Sequence, residues 1–398
     1  MEPRVAKRWG AAAALLIAAV TVAALAGASA NTSAATQPAI VIGWAYDSKG
    51  NMAPFDGPAL AAARIHIRQI NSRGGVNGRR LQIRTCDTNN NNPARAKTCA
   101  RQLLGRGAHV IFVTCDVDFA TPVVQESINL GKLTIAPCIG TDQMGPKRFG
   151  RQKGRLAFSF GNVAQDEGSA MAEYAIRRGW RTAGLGTNTL LVYFKNVVQA
   201  FEKRYTQLGG RIVARESYAT GANNVQTAVT RLNQRRASVY VTSTAFGELP
   251  AFVSGFRSLG NQTPILNSWA GDGTYWATKN PQVTNYYAVT YASVFGDDPN
   301  KTVRKLAKTV KAGTGGFVTG AAAVDGVVTA IRRARGQTGG AALAAQMERF
   351  TKVPTISGLV SFSRQLHSVF GRQYRVVRIQ DNKAQVVGSI TAKVVPKI

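Results

Sequence analysis

The sequence predicts an α/β protein built as two doubly wound parallel-sheet lobes, and three observations predict it. Short apolar strands alternate with amphipathic helices along nearly the whole chain, the pattern of repeated βα units. Residues 57–93 hold one complete helix-to-strand joint with every local signal in place. The chain has 398 residues and 45% hydrophobic content, enough for two separate cores.

The joint begins with a helix opened by Gly57, whose apolar residues Leu60, Ala63, Ile67 and Ile70 recur at helical spacing. Asn71-Ser72-Arg73 then meets Gly74-Gly75, the pair expected at a left-handed helix stop. After a short turn, Leu81, Ile83 and Thr85 alternate as a strand that Asp87 closes. An Asn-rich loop follows, and Pro93 suits the first turn of the next helix.

The ordered set Ile70, Asn71, Gly74, Gly75, Val76, Gly78, Leu81, Asp87 and Pro93 resembles the signature of the type I periplasmic binding proteins. More narrowly, it resembles the leucine/isoleucine/valine-binding protein family of ABC-transporter receptors. The resemblance extends over residues 39–395, including the helical run Gly320–Arg335. It implies three crossovers, at Phe158–Gly161, Tyr286–Ala292 and Ile356–Phe362, and so a three-strand hinge that allows closure. Lobe 1 would then comprise residues 39–159 plus 292–360, and lobe 2 residues 160–291 plus 361–395.

The N-terminus reads as a secretory signal. Arg4, Lys7 and Arg8 precede the apolar core Ala11–Ala26, and Ala28-Ser29-Ala30 supplies small residues for cleavage after Ala30, with Ala35 the second choice. No cysteine follows that core, so a lipid anchor is not expected. No later apolar run approaches membrane-spanning length, which predicts a soluble mature chain, taken here as a monomer. Export implies an oxidising compartment for Cys86, Cys99, Cys115 and Cys138. Four cysteines allow three pairings; local geometry favours Cys86–Cys99 and Cys115–Cys138. Their spacing fits no zinc site, and no cofactor is expected.

The formal net charge is +30, to which the signal region contributes only +2 through Arg4, Lys7 and Arg8 against Glu2. Such a balance suits anionic partners, but the basic residues are spread evenly and no Lys/Arg run exceeds two. No nucleic-acid partner is expected. A solvated basic surface is the plainer reading.

Taken in order, Ala39–Gly43 forms the first strand, and the loop from Trp44 to Asp56 lies at its carboxyl end, where ligands bind in parallel sheets. Trp44, Tyr46, Asp47 and Phe55 are the candidate contacts there; Trp44 is also close enough to the strand to pack. Pro93–Arg106 is helix and Ala108–Thr114 strand, followed by Cys115–Pro122 and a helix over Val123–Leu130. In the resembled family this loop is rich in hydroxyl residues that, with helix amides, hold a ligand carboxylate. Asp116 and Asp118 stand there instead and would repel one. Asp118 could cap the helix, or either acid could meet a cationic group. Lys132–Pro137 is the next strand, and its loop brings Ile139 and Thr141; Met144–Arg155 reads as a solvated connection.

Helix over Gln165–Arg177, strand over Thr182–Gly186 and helix over Thr189–Leu208 open the second lobe. The family's Asp-x-x-Tyr-Gly loop is matched only by Tyr193, with the glycine lost. Strands Arg211–Tyr218, Ser238–Thr242 and Pro264–Asn267 alternate with helices Asn224–Asn233 and Leu249–Leu259. Their loops supply Phe246, Glu248, Trp269 and Asp272. The resemblance implies an acid for a ligand ammonium in the last loop, which Asp272 could provide, whereas Trp269 would favour stacking. Tyr374–Ile379 and Gln385–Thr391 return as strands.

Chemistry that would mark an enzyme is missing. His66, His109 and His367 are scattered, and no Gly-x-Ser-x-Gly, His-Glu-x-x-His or phosphate-loop pattern occurs. The resemblance therefore implies an exported receptor that takes a small molecule, an amino acid or related carboxylate or amide, to ABC permease subunits. The alternative is a sensory or envelope-interacting protein of the same fold.

Overall fold

The structure is a computed structural model that describes residues 37–398, and these form one compact unit. The signal region read at residues 1–30 lies outside the described residues. In chain order the elements are β1 (Ile40–Tyr46), α1 (Ala53–Asn71), β2 (Leu81–Asp87), α2 (Pro93–Gly105), β3 (Val110–Phe112), α3 (Val117–Asn129), β4 (Leu133–Ala136) and β5 (Ala157–Asn162). The chain continues with α4 (Ala164–Arg177), β6 (Thr182–Asn188), α5 (Val192–Gln207), β7 (Arg211–Tyr218), α6 (Ala222–Asn233), β8 (Val239–Ser243), α7 (Glu248–Ser258), β9 (Ile265–Asn267) and β10 (Tyr286–Thr290). It ends with α8 (Lys301–Val310), α9 (Phe317–Arg333), α10 (Gly340–Met347), β11 (Val353–Thr355), β12 (Gly358–Val360), β13 (Ser368–Val369), β14 (Tyr374–Gln380) and β15 (Lys383–Ile390).

Two large sheets result, each the centre of one α/β lobe, and β11 and β12 form a separate two-stranded sheet. The first has the order β13-β5-β4-β3-β1-β2 and is parallel throughout. Its inner strands are buried on both faces, which is why they read as continuous apolar runs rather than alternating ones. The second has the order β15-β14-β10-β9-β8-β6-β7. It is parallel from β7 to β10 and ends in the antiparallel hairpin β14–β15. β15 alternates exposed and half-buried residues, as an edge strand with one covered face does.

The organising joint is present with shifted bounds. α1 starts at Ala53, ahead of the expected Gly57, because Pro54 falls in its first turn, where a missing N–H costs nothing. Gly75 lies at φ 75°, and a Cβ there would meet the Arg79 carbonyl oxygen at 2.1 Å. The turn therefore requires glycine.

Three expectations are corrected. The segment 115–122 is mostly helix: Asp116, not Asp118, is the cap, and Pro122 lies within α3. The connection after β4 is not fully solvated, since Met144 and Gly145 are buried against the first lobe. The third crossover does not fall at Ile356–Phe362, because β12 turns back on β11. The chain instead adds β13 beside β5 and leaves for the second sheet only over residues 370–373.

Cys86 is placed at disulfide distance from Cys99 and Cys115 from Cys138, with Cα separations of 5.5 and 4.8 Å. The first pair ties β2 to α2 and the second ties the ends of β3 and β4. Among the described residues no helix is long and apolar enough to cross a membrane. The double change Cys86→Ser, Cys99→Ser should lower unfolding stability by ~2–4 kcal/mol in a denaturant titration, and the native protein should react with no thiol reagent.

Candidate functional site

In a parallel sheet every strand's carboxyl end and every following helix's amino end fall on one edge. Here those edges of the two sheets supply opposite walls of a cavity. The first lobe contributes Met52 and Phe55 at the start of α1, and Cys115 and Asp116 after β3. The second contributes Leu191, Tyr193 and Phe194 where α5 begins, Ala245 and Phe246 after β8, and Trp269 and Ala270 after β9. These side chains nearly fill the cavity, leaving a space of about 20 Å³, on the order of one water.

Aromatic rings meet across the gap. The Phe55 ring lies 5.3 Å from Trp269 and 6.4 Å from Phe246, at 87° to each. Behind them Tyr193 sits 6.0 Å from Trp269, and Phe194 sits 6.2 Å from Phe246. Edge-to-face pairs at these distances add modestly to the apolar contact. Phe55 belongs to one lobe and its partners to the other, so the rings form part of the closed interface.

Buried carboxyl groups hold both walls. Asp56 accepts the amides of Asp47 at 2.8 Å and Cys115 at 2.9 Å, binding the loops after β1 and β3 to the start of α1. Glu167 in α4 accepts the Tyr193 hydroxyl at 2.8 Å and the Trp269 amide at 2.6 Å. Asp272 accepts the Gly315 amide at 2.7 Å and the Thr290 hydroxyl, and its Oδ1 has no partner. Asp116 caps α3, taking the amides of Asp118 at 2.8 Å and Phe119 at 3.2 Å on one oxygen. Loss of water raises these acids despite the bonds they accept, to about 7 for Asp56, Asp116 and Asp272 and about 8 for Glu167.

Of the residues expected from sequence, the cavity gathers Asp116, Tyr193, Phe246 and Trp269, with Phe55. Trp44 is fully buried, edge-on to Phe112 at 5.1 Å, and belongs to the core. Tyr46 packs against the same core. The carbonyl of buried Ile139 accepts the Ser159 hydroxyl, and the Thr141 hydroxyl accepts from Asn196 across the lobes at 3.3 Å. Asp118 pairs with Arg148 at 2.9 Å and takes the Val192 amide at the start of α5 at 3.1 Å, a second bond between lobes. Asp47 folds its own loop, accepting the Gly50 and Met52 amides, and Glu248 accepts the Gly221 amide. Met52, Leu191, Phe194 and Glu167 were not anticipated. Nothing in their local sequence sets the first three apart from ordinary apolar residues, or Glu167 from other charges on a helix.

A family model described as periplasmic binding protein matches residues 39–384. The chain belongs to the periplasmic binding protein family. Solved structures of similar fold include LivJ from Streptococcus pneumoniae in complex with isoleucine, at 18% identity. That likeness covers 88% of this chain and 99% of that one, with a TM-score of 0.73. A solute-binding protein of R. palustris in complex with benzoate, at 17% identity, covers 90% and 98% with a TM-score of 0.73. LivK from Thermotoga maritima, a leucine-binding protein, is 14% identical and covers 88% and 99% with a TM-score of 0.71. No curated protein matches the chain. Two of these solved proteins hold a small ligand, isoleucine in one and benzoate in the other. Among the described residues no group of three or more His, Cys, Asp or Glu could hold a metal ion.

Glu167 gives a pH signature. The unfolded chain ionises it near 4.5 and the folded protein only near 8, so its contribution makes stability fall as pH rises through that window. Glu167→Gln has no charge to bury, and its melting temperature should fall less between pH 4.5 and pH 8 than that of the parent. A second expectation concerns the wall: Trp269→Ala should stay folded by circular dichroism yet weaken ligand binding in calorimetry.

Proposed function

We propose that this chain is an exported solute-binding protein that closes on a small molecule between its lobes and delivers it to an ABC permease. The observation that supports this most is the cavity itself, walled by loops of both sheets, so that only closure assembles it. Asp116, Tyr193, Phe246 and Trp269 are the proposed ligand contacts. The bonds Asp118–Val192 and Thr141–Asn196 would form as the lobes meet, and three passages of chain between the sheets would act as the hinge. Residues 1–30 would direct export and be removed, which suits the cysteine pairing.

The amino acid, carboxylate or amide implied by the sequence resemblance enters a cavity with no cationic side chain among its described lining. One observation favours the sensory or envelope-interacting alternative, namely the charge of +30, which would hold the protein near an anionic surface.

The test is a thermal-shift screen of residues 37–398 against small amines, amides, amino acids and aromatic acids, followed by small-angle scattering. A ligand at 100 times its dissociation constant should stabilise the fold by ~2.7 kcal/mol and reduce the radius of gyration. A ligand that stabilises without compaction would overturn the closure mechanism. Loss of uptake on deleting the gene, restored by the chain and not by Trp269→Ala, would support transport over the alternative.

A further inference from the structure

Resting on the solute-binding reading, we propose that the cavity, which leaves only about 20 Å³ as it stands and needs its walls to part, takes a ligand with an apolar or aromatic body carrying an ammonium group, and not a carboxylate. The geometry at α3 points there first. A carboxylate ligand needs free donors, and the backbone amides at a helix amino end, here that of α3 beside the cavity, are the usual source. Asp116 has already taken them: one of its oxygens accepts both the Asp118 and Phe119 amides. The protein's own carboxylate stands where an anionic ligand would be held.

The other oxygen of Asp116 accepts no hydrogen bond among the described residues, although Asp116 is 4% exposed and lines the cavity. No protein donor reaches it, and unlike Oδ1 of Asp272 it is not sealed from water. No Lys, Arg or His occurs among the described lining residues to offset a second negative charge, and Arg148 is paired with Asp118. An incoming carboxylate would meet Asp116 in a water-poor space, where like charges interact far more strongly than in bulk water. An ammonium group would meet the same oxygen as a charge-assisted partner. Burial and the neighbouring Asp118 raise the Asp116 carboxyl to about 7, a cost that a bound cation would offset.

The rest of the wall suits the same chemistry. Phe55, Phe246 and Trp269 all line the cavity, and Phe55 stands edge-to-face at 87° to the other two, so parting the walls would uncover ring faces. Such faces attract a cation through the ring quadrupole and receive apolar carbon equally well. The overall charge of +30 opposes a cation only at long range, because salt screens charges beyond about 8 Å in physiological conditions. Inside the cavity the nearest charged group is Asp116.

The test uses matched probes on residues 37–398: phenethylamine, 3-phenylpropionate and 3-phenylpropionamide, with isoleucine and benzoate beside them, measured by calorimetry. Phenethylamine should bind at least about tenfold more tightly than the acid or the amide, the step expected for one hydrogen bond to a charged group. Asp116→Asn keeps an oxygen to cap α3 and should lower that affinity roughly tenfold or more while leaving the melting temperature of the free protein close to the parent's. Tighter binding of 3-phenylpropionate, benzoate or isoleucine than of the amine overturns the ammonium proposal and leaves the solute-binding reading standing. Unchanged amine affinity in Asp116→Asn overturns it as well. Silence from all five probes overturns it too, and if mass spectrometry of the purified protein then finds no bound small molecule, the solute-binding reading fails with it.

Discussion

Asp56 and Glu167 each occupy a fully buried position, and each uses both carboxyl oxygens to fasten chain segments that are remote in sequence. Asp56 reaches the Cys115 amide across 59 residues, and Glu167 reaches the Trp269 amide across 102. A buried carboxyl is costly unless donors surround it, and here the donors are the backbone amides of Asp47, Cys115 and Trp269 and the Tyr193 hydroxyl. The first acid sets the start of α1, and with it Phe55, against the loop that carries Asp116. The second sets Tyr193 and Trp269 against one another. One acid thus shapes each wall, and the site inherits its rigidity from them.

Closure depends on a different set of groups. Polar bonds between the lobes include those from the Val192 amide to Asp118, from Asn196 to Thr141 and from Gln165 to Asp142, while the Tyr291 hydroxyl accepts the Asn162 amide close to the first passage between sheets. Shape matters equally. A Cβ on Gly140 would lie 2.6 Å from Cε2 of Tyr193, so the loop after β4 admits that ring only because it has no side chain there. Of the positions to which the family resemblance pointed, Asp118 and Thr141 fasten the lobes to one another, while Asp116, Tyr193 and Trp269 line the cavity.

Charge is divided between outside and inside. The chain carries 50 basic and 20 acidic residues, yet the charged residue among the described lining of the cavity is an acid. Basic side chains gather instead on the surface, as where Lys147, Arg151, Arg155 and Arg364 border a broad pocket on the first lobe. The long-range field and the local field therefore have opposite sign, and salt screens the first far more than the second.

The fold was largely legible in the sequence, because strand and helix periods, the Gly74-Gly75 stop and the glycine at position 75 are local consequences of backbone geometry. The cysteine pairs were legible for the same reason, since each joins neighbouring elements. Tyr193, Phe246 and Trp269 could be placed near the cavity because parallel sheets present their carboxyl-end loops to one edge. Helix bounds around Pro54 and Pro122 were less legible, as proline is tolerated or excluded according to a few residues of register. What the tertiary structure alone decided was orientation: that Trp44 turns into the core, that Asp118 and Thr141 face the opposite lobe, that Asp116 spends one oxygen on its own helix, and that Glu167 is buried beneath two rings. Sequence spacing carries the face of an element, but which partner meets that face depends on how two sheets come together, and that is settled by contacts between residues a hundred positions apart.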